Sequence, residues 1–240
     1  KGTKGQGCLH TVSVWASEAG LTLGQEAVEA DANEIPALPK LLATLDLAGA
    51  IVTIDAAGCQ KENAALILEG GGHYLLCVKG NQPGLLTAVQ GVFGRADASG
   101  YEGLTFDHYS RAEEGHGRVE FRSVVVIHDP VGLPEDWPEV KAVVSVLRRR
   151  EVAGVSTTTT HNYISSHAGT AEAMAGYTRG HWGIENHLHW VLDVVFHEDQ
   201  SRIKEGHAGE NLSLLRRVAL ALLKRSPGKG SMVTKRLKAG

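Results

Sequence analysis

Apolar and polar residues alternate along the first part of the chain. The alternation covers residues 9–16 and 21–28 with a period of two, which is typical of half-buried strands, and Glu18-Ala19-Gly20 between them favours a hairpin turn. The next segment, residues 33–45, begins Asn-Glu-Ile-Pro and then repeats leucine at helical spacing. This pattern predicts a helix that opens with a capping residue and an early proline.

Strand and helix patterns then alternate from residue 50 to residue 82. Apolar runs at 51–54 and 74–78 predict buried strands, and the segment 61–69 predicts a helix that Gly70-Gly71-Gly72 ends. Strands joined through a helix usually pair in parallel. The pattern therefore predicts an α/β fold, with a mixed or parallel sheet and helices packed on its faces.

The remaining pattern completes a division into four regions. Strand patterns recur at 119–127, 142–147 and 155–164, helical periodicity runs from Ala171 to Leu223, and after Pro227 the chain is polar, basic and predicted to be mobile. The region with the three strands is interpreted as an insertion rather than an independent module. The predicted regions are the first part of the core at 1–82, a β-rich insertion at 83–168, C-terminal helices that complete the core at 169–225, and a basic tail at 226–240.

Charge is distributed unevenly along the chain. Residues 202–240 contain ten Lys or Arg and two Glu, a formal charge of +8, whereas the other residues carry −11, which leaves the net charge of −3. A basic C-terminal region on an acidic body predicts contact with a polyanion, and a solvated tail is the alternative. Arg148-Arg149-Arg150 ends a predicted strand, either as a solvated edge or as a DNA contact.

Length and cysteine content restrict the class of protein. The chain has 240 residues, of which 42% are hydrophobic, so it can bury the core of one or two domains. Its apolar runs are all shorter than the roughly 20 residues that cross a bilayer. Three cysteines without metal-type spacing suit a reducing cytosol. We therefore expect a cytoplasmic protein without a membrane partner, and a chain that opens in a loop without Met is interpreted as a fragment.

Asp55 closes an apolar strand, and a polar loop closes the next one. Functional sites in α/β sheets form at the carboxyl ends of strands, which makes Asp55 a candidate metal ligand. A helix-capping aspartate before Ala56-Ala57-Gly58 is the alternative. Lys79-Gly80-Asn81-Gln82 follows the next strand, so we expect its polar groups at the same sheet edge, either as phosphate contacts or as an ordinary turn.

The segment 179–190 gathers one carboxylate, one arginine, three histidines and two tryptophans on a predicted helix. Arg179 and His181 precede Glu185 by one to two turns, and His189 follows it at i+4. Such a convergence suits an anionic substrate held beside metal ions, and a solvent-facing glutamate is the alternative. The histidine spacing disfavours zinc, because residues at i and i+2 point to opposite sides of a helix.

Several short motifs in a fixed order resemble one family over nearly the whole chain, from about Leu9 to the C-terminus. They are Asn33-Glu34-Ile35-Pro36, residues 51–56 with 58–61, residues 79–82, residues 115–118, residues 181–186, Asp199-x-Ser201-Arg202, Glu210-Asn211-Leu212 and residues 214–217. The family is that of bacterial insertion-sequence transposases of the Asp-Asp-Glu type, in the ISAs group with the H-repeat-associated proteins.

The resemblance implies a ribonuclease-H-like mixed sheet with a β insertion, and DNA cleavage and strand transfer at insertion-sequence ends. It also implies two Mg²⁺ ions, replaceable by Mn²⁺, which Asp55 would hold as the second catalytic aspartate and Glu185 as the catalytic glutamate. The implied partners are double-stranded DNA and, because transposases usually act on paired ends, a second copy in a nucleoid-associated homodimer. The implied DNA or phosphate contacts are Arg179, His181, Lys79, Asn81, Trp182 and Arg202.

The chain departs from the family pattern in two places. The lysine expected seven residues after Glu185 falls on Leu192. The first aspartate, which the family carries in an Asp-Gly-Lys segment on a central strand shortly before the first hairpin strand, has no counterpart, since no Asp precedes Asp31. We therefore expect this chain alone to lack one metal ligand and one central strand, and to be inactive. A DNA-binding remnant without catalysis and a metal-dependent nuclease of the same fold are the alternatives.

Overall fold

The computed structural model describes residues 10–28, 33–115, 118–203 and 206–239. Its elements in chain order are β1 (Thr11–Ala16), β2 (Leu21–Ala27), α1 (Ala37–Leu42), β3 (Ile51–Ile54), α2 (Lys61–Glu69), β4 (His73–Val78), α3 (Pro83–Ser99), β5 (Phe106–Gly115), β6 (Arg118–His128), β7 (Ala142–Val152), β8 (Val155–Ser165), α4 (Ala171–Ile184), a π-helical turn (Glu185–His189), α5 (Trp190–Val194), α6 (Ala208–Arg225) and α7 (Met232–Ala239).

The chain divides into two compact units. Residues 46–179 form one of them, here called the sheet unit, and residues 1–45 with 180–240 form the other, here called the helix unit. The division falls within α4, directly after Arg179.

The sheet unit contains one mixed sheet with the strand order β3-β4-β8-β7-β6-β5. β3 and β4 are parallel, with Ile54 opposite Leu76, and all the other neighbours are antiparallel. Because β8 pairs with β4, the strands of the predicted insertion extend the sheet that carries Asp55. The predicted mixed α/β fold is confirmed.

One face of this sheet is covered by α4. Val124, Val126, Val144 and Tyr163 share a buried cluster with Ala171, Met174 and Ala175 of the helix. Successive side chains of a strand point to opposite faces of the sheet. Polar residues an even number of positions from these valines therefore lie on the same face as the valines, outside the buried cluster. That side is where the candidate site lies.

Two elements of the sheet unit, α3 and β5, were not predicted. Gly84, Gly91 and Gly94 lie within α3, and each glycine costs a helix about 1 kcal/mol relative to alanine, so the helical pattern is weak. The signals for its ends were nevertheless present. Pro83 occupies the first helical turn, and Gly100, with φ 61°, ends the helix in the left-handed conformation.

The helix unit begins with the predicted hairpin, which is confirmed. β1 and β2 pair antiparallel as a two-stranded sheet with an irregularity between Val14 and Trp15. The predicted capping of α1 is wrong, because Pro36 occupies the N-cap and the Asn33 side chain accepts the Ile35 N–H instead. The core of the unit consists of Leu188, Val191, Leu192, Val195 and Leu220, with Trp15, Ile184, Phe196 and Met232 packed against it.

The prediction of a mobile tail is wrong for residues 232–239, which form α7. Met232 packs against the core of the helix unit. Lys235 donates to the carbonyls of Leu223 and Ser226 at 3.1 and 2.7 Å, which caps the end of α6. Arg236 donates to the Val195 carbonyl and lies over the Phe196 ring. Basic residues that read as a polar tail thus anchor a short helix.

Helix length and hydropathy were also compared with the requirements of a membrane span. In the parts of the chain that the structure describes, no helix is long and apolar enough to cross a bilayer.

Candidate active site and nucleic-acid surface

Asp55 lies directly beyond the end of β3 and is exposed. Its Oδ1 accepts the Gly58 N–H at 3.4 Å, a long hydrogen bond that leaves most of the carboxylate accessible. Asp55 does not cap a helix, because the N-cap of α2 is Gln60, and its role as a metal ligand stays a prediction. Asp55 supports the turn at residues 55–58, and it still presents oxygen atoms at the carboxyl end of a parallel strand.

The loop after β4 holds the Asp55 turn in place. The Asn81 side-chain amide donates to the Ala56 carbonyl at 2.5 Å, and that of Gln82 donates to the Cys59 carbonyl at 2.9 Å. The prediction that these polar groups share a sheet edge with Asp55 is confirmed. However, the Asn81 amide is directed at backbone, so the observed contact of this residue is one that shapes the Asp55 turn.

A row of cationic side chains continues from this edge along the same side of the sheet. The register places Cys77 opposite Tyr163, His161 opposite Val146, and Arg148 opposite Arg122, and directly opposed residues share a face. We call Lys79, His161, Arg148 and Arg122 the cationic row.

The electrostatics of neighbouring groups agree with this placement. Burial raises the pKa of the Cys77 thiol, and the charges of Lys79 and Asp55 act on it in opposite directions, so both lie near it. Burial also lowers the pKa of His161, and the cations Lys79 and Arg148 lower it further. These shifts agree with a position of Lys79 between Asp55 and His161, and of Arg148 near His161.

Glu120 holds the two arginines of the row. Arg148 donates through Nε and Nη2 to its two carboxylate oxygens at 3.1 and 3.0 Å, and Arg122 donates to Oε1 at 2.7 Å. The Glu120 side chain is only 13% exposed. Its pKa is lowered, first by the hydrogen bond from Arg148 and then by the surrounding positive charges, against the opposing effect of burial. One carboxylate thus orders two cations without neutralising both.

Arg179, a predicted phosphate contact, forms a bidentate ion pair. Its Nη1 and Nη2 donate to the Glu113 carboxylate on β5 at 2.8 and 3.2 Å, and Arg111 also contacts that carboxylate. The hydrogen bond from Arg179 is the main cause that lowers the pKa of Glu113. Arg179 is the last residue of α4 that belongs to the sheet unit, and β5 is an edge strand of the sheet. The ion pair therefore connects α4 with this edge strand.

Glu185 is exposed and lies on a helix as predicted, but it begins a π-helical turn between α4 and α5, where the helix is wider than a regular α-helix. The turn closes through the Trp190 N–H, which donates to the Glu185 carbonyl five residues earlier. Leu188 of the same turn is fully buried. A wider turn also changes which side chains are neighbours, so the argument that placed His189 one turn above Glu185 does not apply.

The other predicted DNA contacts of the helix unit lie at its surface. Trp182 is 46% exposed and its ring meets that of His181 edge-on, with centroids 5.6 Å apart. Arg202 is exposed in the segment after α5. Their assignment to DNA stays a prediction.

Much of the positive charge of the C-terminal region is used within the helix unit. Arg217 has a side chain only 3% exposed, and it donates to Glu198, to the Ser213 carbonyl and to the hydroxyls of Ser13 and Thr11. Arg216, Lys224, Lys235 and Arg236 also have intramolecular partners. Among the basic residues that the structure describes from position 202 onwards, at least these five therefore have partners within the fold, and sequence composition did not reveal this.

Asp55 and Glu185 are chemically suited to a magnesium ion. Both are exposed carboxylates, the hard oxygen donors that Mg²⁺ prefers, and this ion is usually bound by one or two carboxylates together with water and substrate phosphates. They belong to different compact units. Among the described residues, no group of three or more His, Cys, Asp or Glu is arranged to hold a metal.

An exposed aspartate at the end of a strand in a mixed α/β sheet, and a later glutamate on a helix, are the two carboxylates that the family resemblance led us to expect. Comparison with known families agrees. Residues 1–223 match the family described as "Transposase DDE domain", and the chain belongs to this family.

Individual relatives carry corresponding names. The chain is 40% identical over 227 residues to "Putative transposase YncI" of Escherichia coli O157:H7, an alignment that covers 92% of this chain and 57% of the relative. It is 37% identical over 225 residues to "H repeat-associated putative transposase YhhI" of Escherichia coli strain K12, covering 91% of this chain and 59% of the relative. The chain thus spans less than two thirds of the length of these relatives.

Proposed function

We propose that this chain is the larger part of the catalytic region of an insertion-sequence transposase that cuts DNA at the element's ends and joins them to a target. The observation that carries the proposal is the exposed carboxylate of Asp55 at the end of a parallel strand, in a chain that belongs to the DDE transposase family. Asp55 and Glu185 act as metal ligands, and the divalent ion of the family is Mg²⁺, with Mn²⁺ able to replace it. The protein acts in the cytoplasm on nucleoid DNA, and two copies pair two ends.

The side chains around Asp55 have separate roles in this proposal. Bound divalent ions would supply activation of the attacking oxygen and stabilisation of the leaving 3′ oxygen. Asp55 and Glu185 hold these ions, and Asn81 and Gln82 keep the Asp55 turn rigid through their contacts with Ala56 and Cys59. The cationic row binds the phosphate backbone of the DNA that leads to Asp55.

A third carboxylate and one more strand complete the site in this proposal. β3 lies at the edge of the described sheet, although its sequence Ile-Val-Thr-Ile is typical of a buried parallel strand. Its residues are only partly buried. We propose that a strand outside the 240 residues, carrying the first aspartate of the family, pairs with this edge in a ribonuclease-H-like sheet, and that the 240-residue polypeptide by itself does not cleave DNA.

The alternative functions share parts of this site. A nuclease would use the same carboxylates and release cut DNA without joining it. A DNA-binding remnant rests on the basic C-terminal region, and the internal engagement of Arg217, Lys224, Lys235 and Arg236 weakens that argument.

The test is a metal-dependent nicking assay on duplex DNA that contains an insertion-sequence end. It compares the 240-residue chain with a chain extended upstream to the length of the relatives. We expect nicking and joined products only from the extended chain, and a loss of more than about 100-fold in Asp55→Ala or Glu185→Ala, because even the residues that orient metal ligands are worth 10–100-fold. Nicking without joined products would indicate the nuclease, and activity in the 240-residue chain would refute the missing third ligand.

A further inference from the structure

Lys224 of α6 contacts the π-helical turn that begins with Glu185. Its Nζ donates to the His187 carbonyl at 2.8 Å and lies 4.2 Å from the centroid of the Trp15 ring. Trp15 in turn packs against the buried cluster that contains Leu188 of the same turn. The ammonium group is therefore placed by an aromatic ring and directed at a backbone oxygen inside the turn.

The direction of the Glu185 side chain depends on the width of this turn. A π turn contains one residue more than an α turn. Because each residue of a helix advances by about 100°, a change from π to α register would rotate Glu185, at the start of the turn, by about that angle relative to the helix that follows the turn. A contact that favours one register thus also fixes where the carboxylate points.

Lys224 provides a contact of this kind. A carbonyl oxygen has two lone pairs, so the His187 oxygen can accept from Lys224 in addition to any helical partner. Hydrogen bonds from a charged donor are roughly twice as strong as those between neutral groups. The cation–π contact with Trp15 limits the freedom of the lysine, so little order is lost when the bond forms.

We propose that Lys224 is a positioning residue for Glu185: by donating to the His187 carbonyl it maintains the π turn and so directs the carboxylate towards its metal ion. The inference rests on the proposed role of Glu185. The motifs around Glu185 do not include Lys224. The inference therefore adds a residue of α6 to those that support the site.

The first test needs no activity. Amide hydrogen exchange of the 240-residue chain is compared in Lys224→Met, in Lys224→Arg and in Lys229→Met, a control that removes an exposed lysine of the same region. We expect residues 186–191 to exchange on the order of 10-fold faster in Lys224→Met, and close to normally in the other two, since the bond from the charged donor is lost only there. Unchanged exchange, or an equal increase throughout the helix unit, would overturn the proposal.

The second test uses nicking by the upstream-extended chain. Lys224→Met is expected to lower kcat on the order of 10-fold at unchanged KM for DNA, with recovery in Lys224→Arg. Normal kcat in Lys224→Met, in a protein that Glu185→Ala inactivates, would refute the positioning role. If Glu185→Ala itself remains active, the proposed function fails instead, and the exchange experiment still decides whether Lys224 maintains the turn.

Discussion

The two candidate metal ligands are supported in different ways. Asp55 follows a short strand, and its turn is held by the side-chain amides of Asn81 and Gln82 from the neighbouring loop. Glu185 begins an irregular helical turn, which a buried leucine and the ammonium group of Lys224 hold. The Asp55 support comes from two neutral amides 26 and 27 positions away along the chain, whereas the Glu185 support comes from a charged residue 39 positions away.

Positive charge also has different uses in the two units. In the sheet unit Glu120 orders the two arginines of the cationic row, of which Arg148 is 43% exposed and Arg122 only 21%. In the helix unit Arg217 is buried and links α6 to β1 and to Glu198. A count of basic residues therefore overestimates the positive charge of the C-terminal region that is available to a polyanion, and it does not consider the cationic row of the sheet.

The largest effect on stability is expected from Arg217→Met. The substitution leaves Glu198 without its closest cation and two hydroxyl groups of β1 without a partner, which should cost about 3 kcal/mol in the free energy of unfolding, measured in urea. Its neighbour Arg216, only 15% exposed but 3.9 Å from the same carboxylate, is the matched control and should cost less, about 1 kcal/mol, as Arg216→Met. Equal costs would show that the hydrogen bonds of Arg217 are not what matters.

The next effect is that of Asn81→Ala on the Asp55 turn. Loss of the bond to the Ala56 carbonyl should cost about 1 kcal/mol in stability but 10–100-fold in nicking by the extended chain, since the turn orients a metal ligand. The two quantities are measured by urea denaturation and by initial rates at saturating metal. A nicking loss below tenfold would mean that the turn does not need this support.

How much of this was predictable depends on how local the determinants are. The sequence pattern was sufficient to predict the strand that ends at Asp55, the strand after it and the polar loop at residues 79–82, because apolar runs and turn residues act over a few positions. The π turn at Glu185 was not, since it depends on packing of Leu188 and on the distant Lys224. The segment Ala171–Val194 contains no proline, and its three glycines (Gly176, Gly180 and Gly183) all precede the turn, so they did not mark where it begins.

A smaller effect separates the two adjacent arginines of β7. Arg148 belongs to the cationic row and Arg149 points to the opposite face. Arg148→Gln should weaken duplex DNA binding and reduce the slope of log K against log salt by about 0.9, the value of one phosphate contact, whereas Arg149→Gln should leave both unchanged. Equal effects in a fluorescence titration at several salt concentrations would refute the assignment of DNA to this face.

The smallest effect concerns acid. The pKa of Glu120 is lowered in the folded protein, so its ionised form stabilises the fold above its unfolded pKa of about 4.3, and this contribution is lost as the pH falls through the folded pKa. Glu120→Gln should therefore be less stable than the original by at most about 1 kcal/mol at pH 7. The difference should shrink below about pH 4 in urea denaturation. A difference that stays constant with pH would contradict the ion pair.

The central proposal is that Asp55 and Glu185 are ligands of the same divalent metal ions, as the resemblance to the family implies. The most direct measurement replaces Mg²⁺ by Fe²⁺ in the extended chain and maps the backbone positions that iron-generated hydroxyl radicals cut. The account predicts cuts near residue 55 and near residue 185, and the loss of both sets in either Asp55→Ala or Glu185→Ala. Cuts near one residue alone, or two sets that each depend only on the local carboxylate, would contradict it.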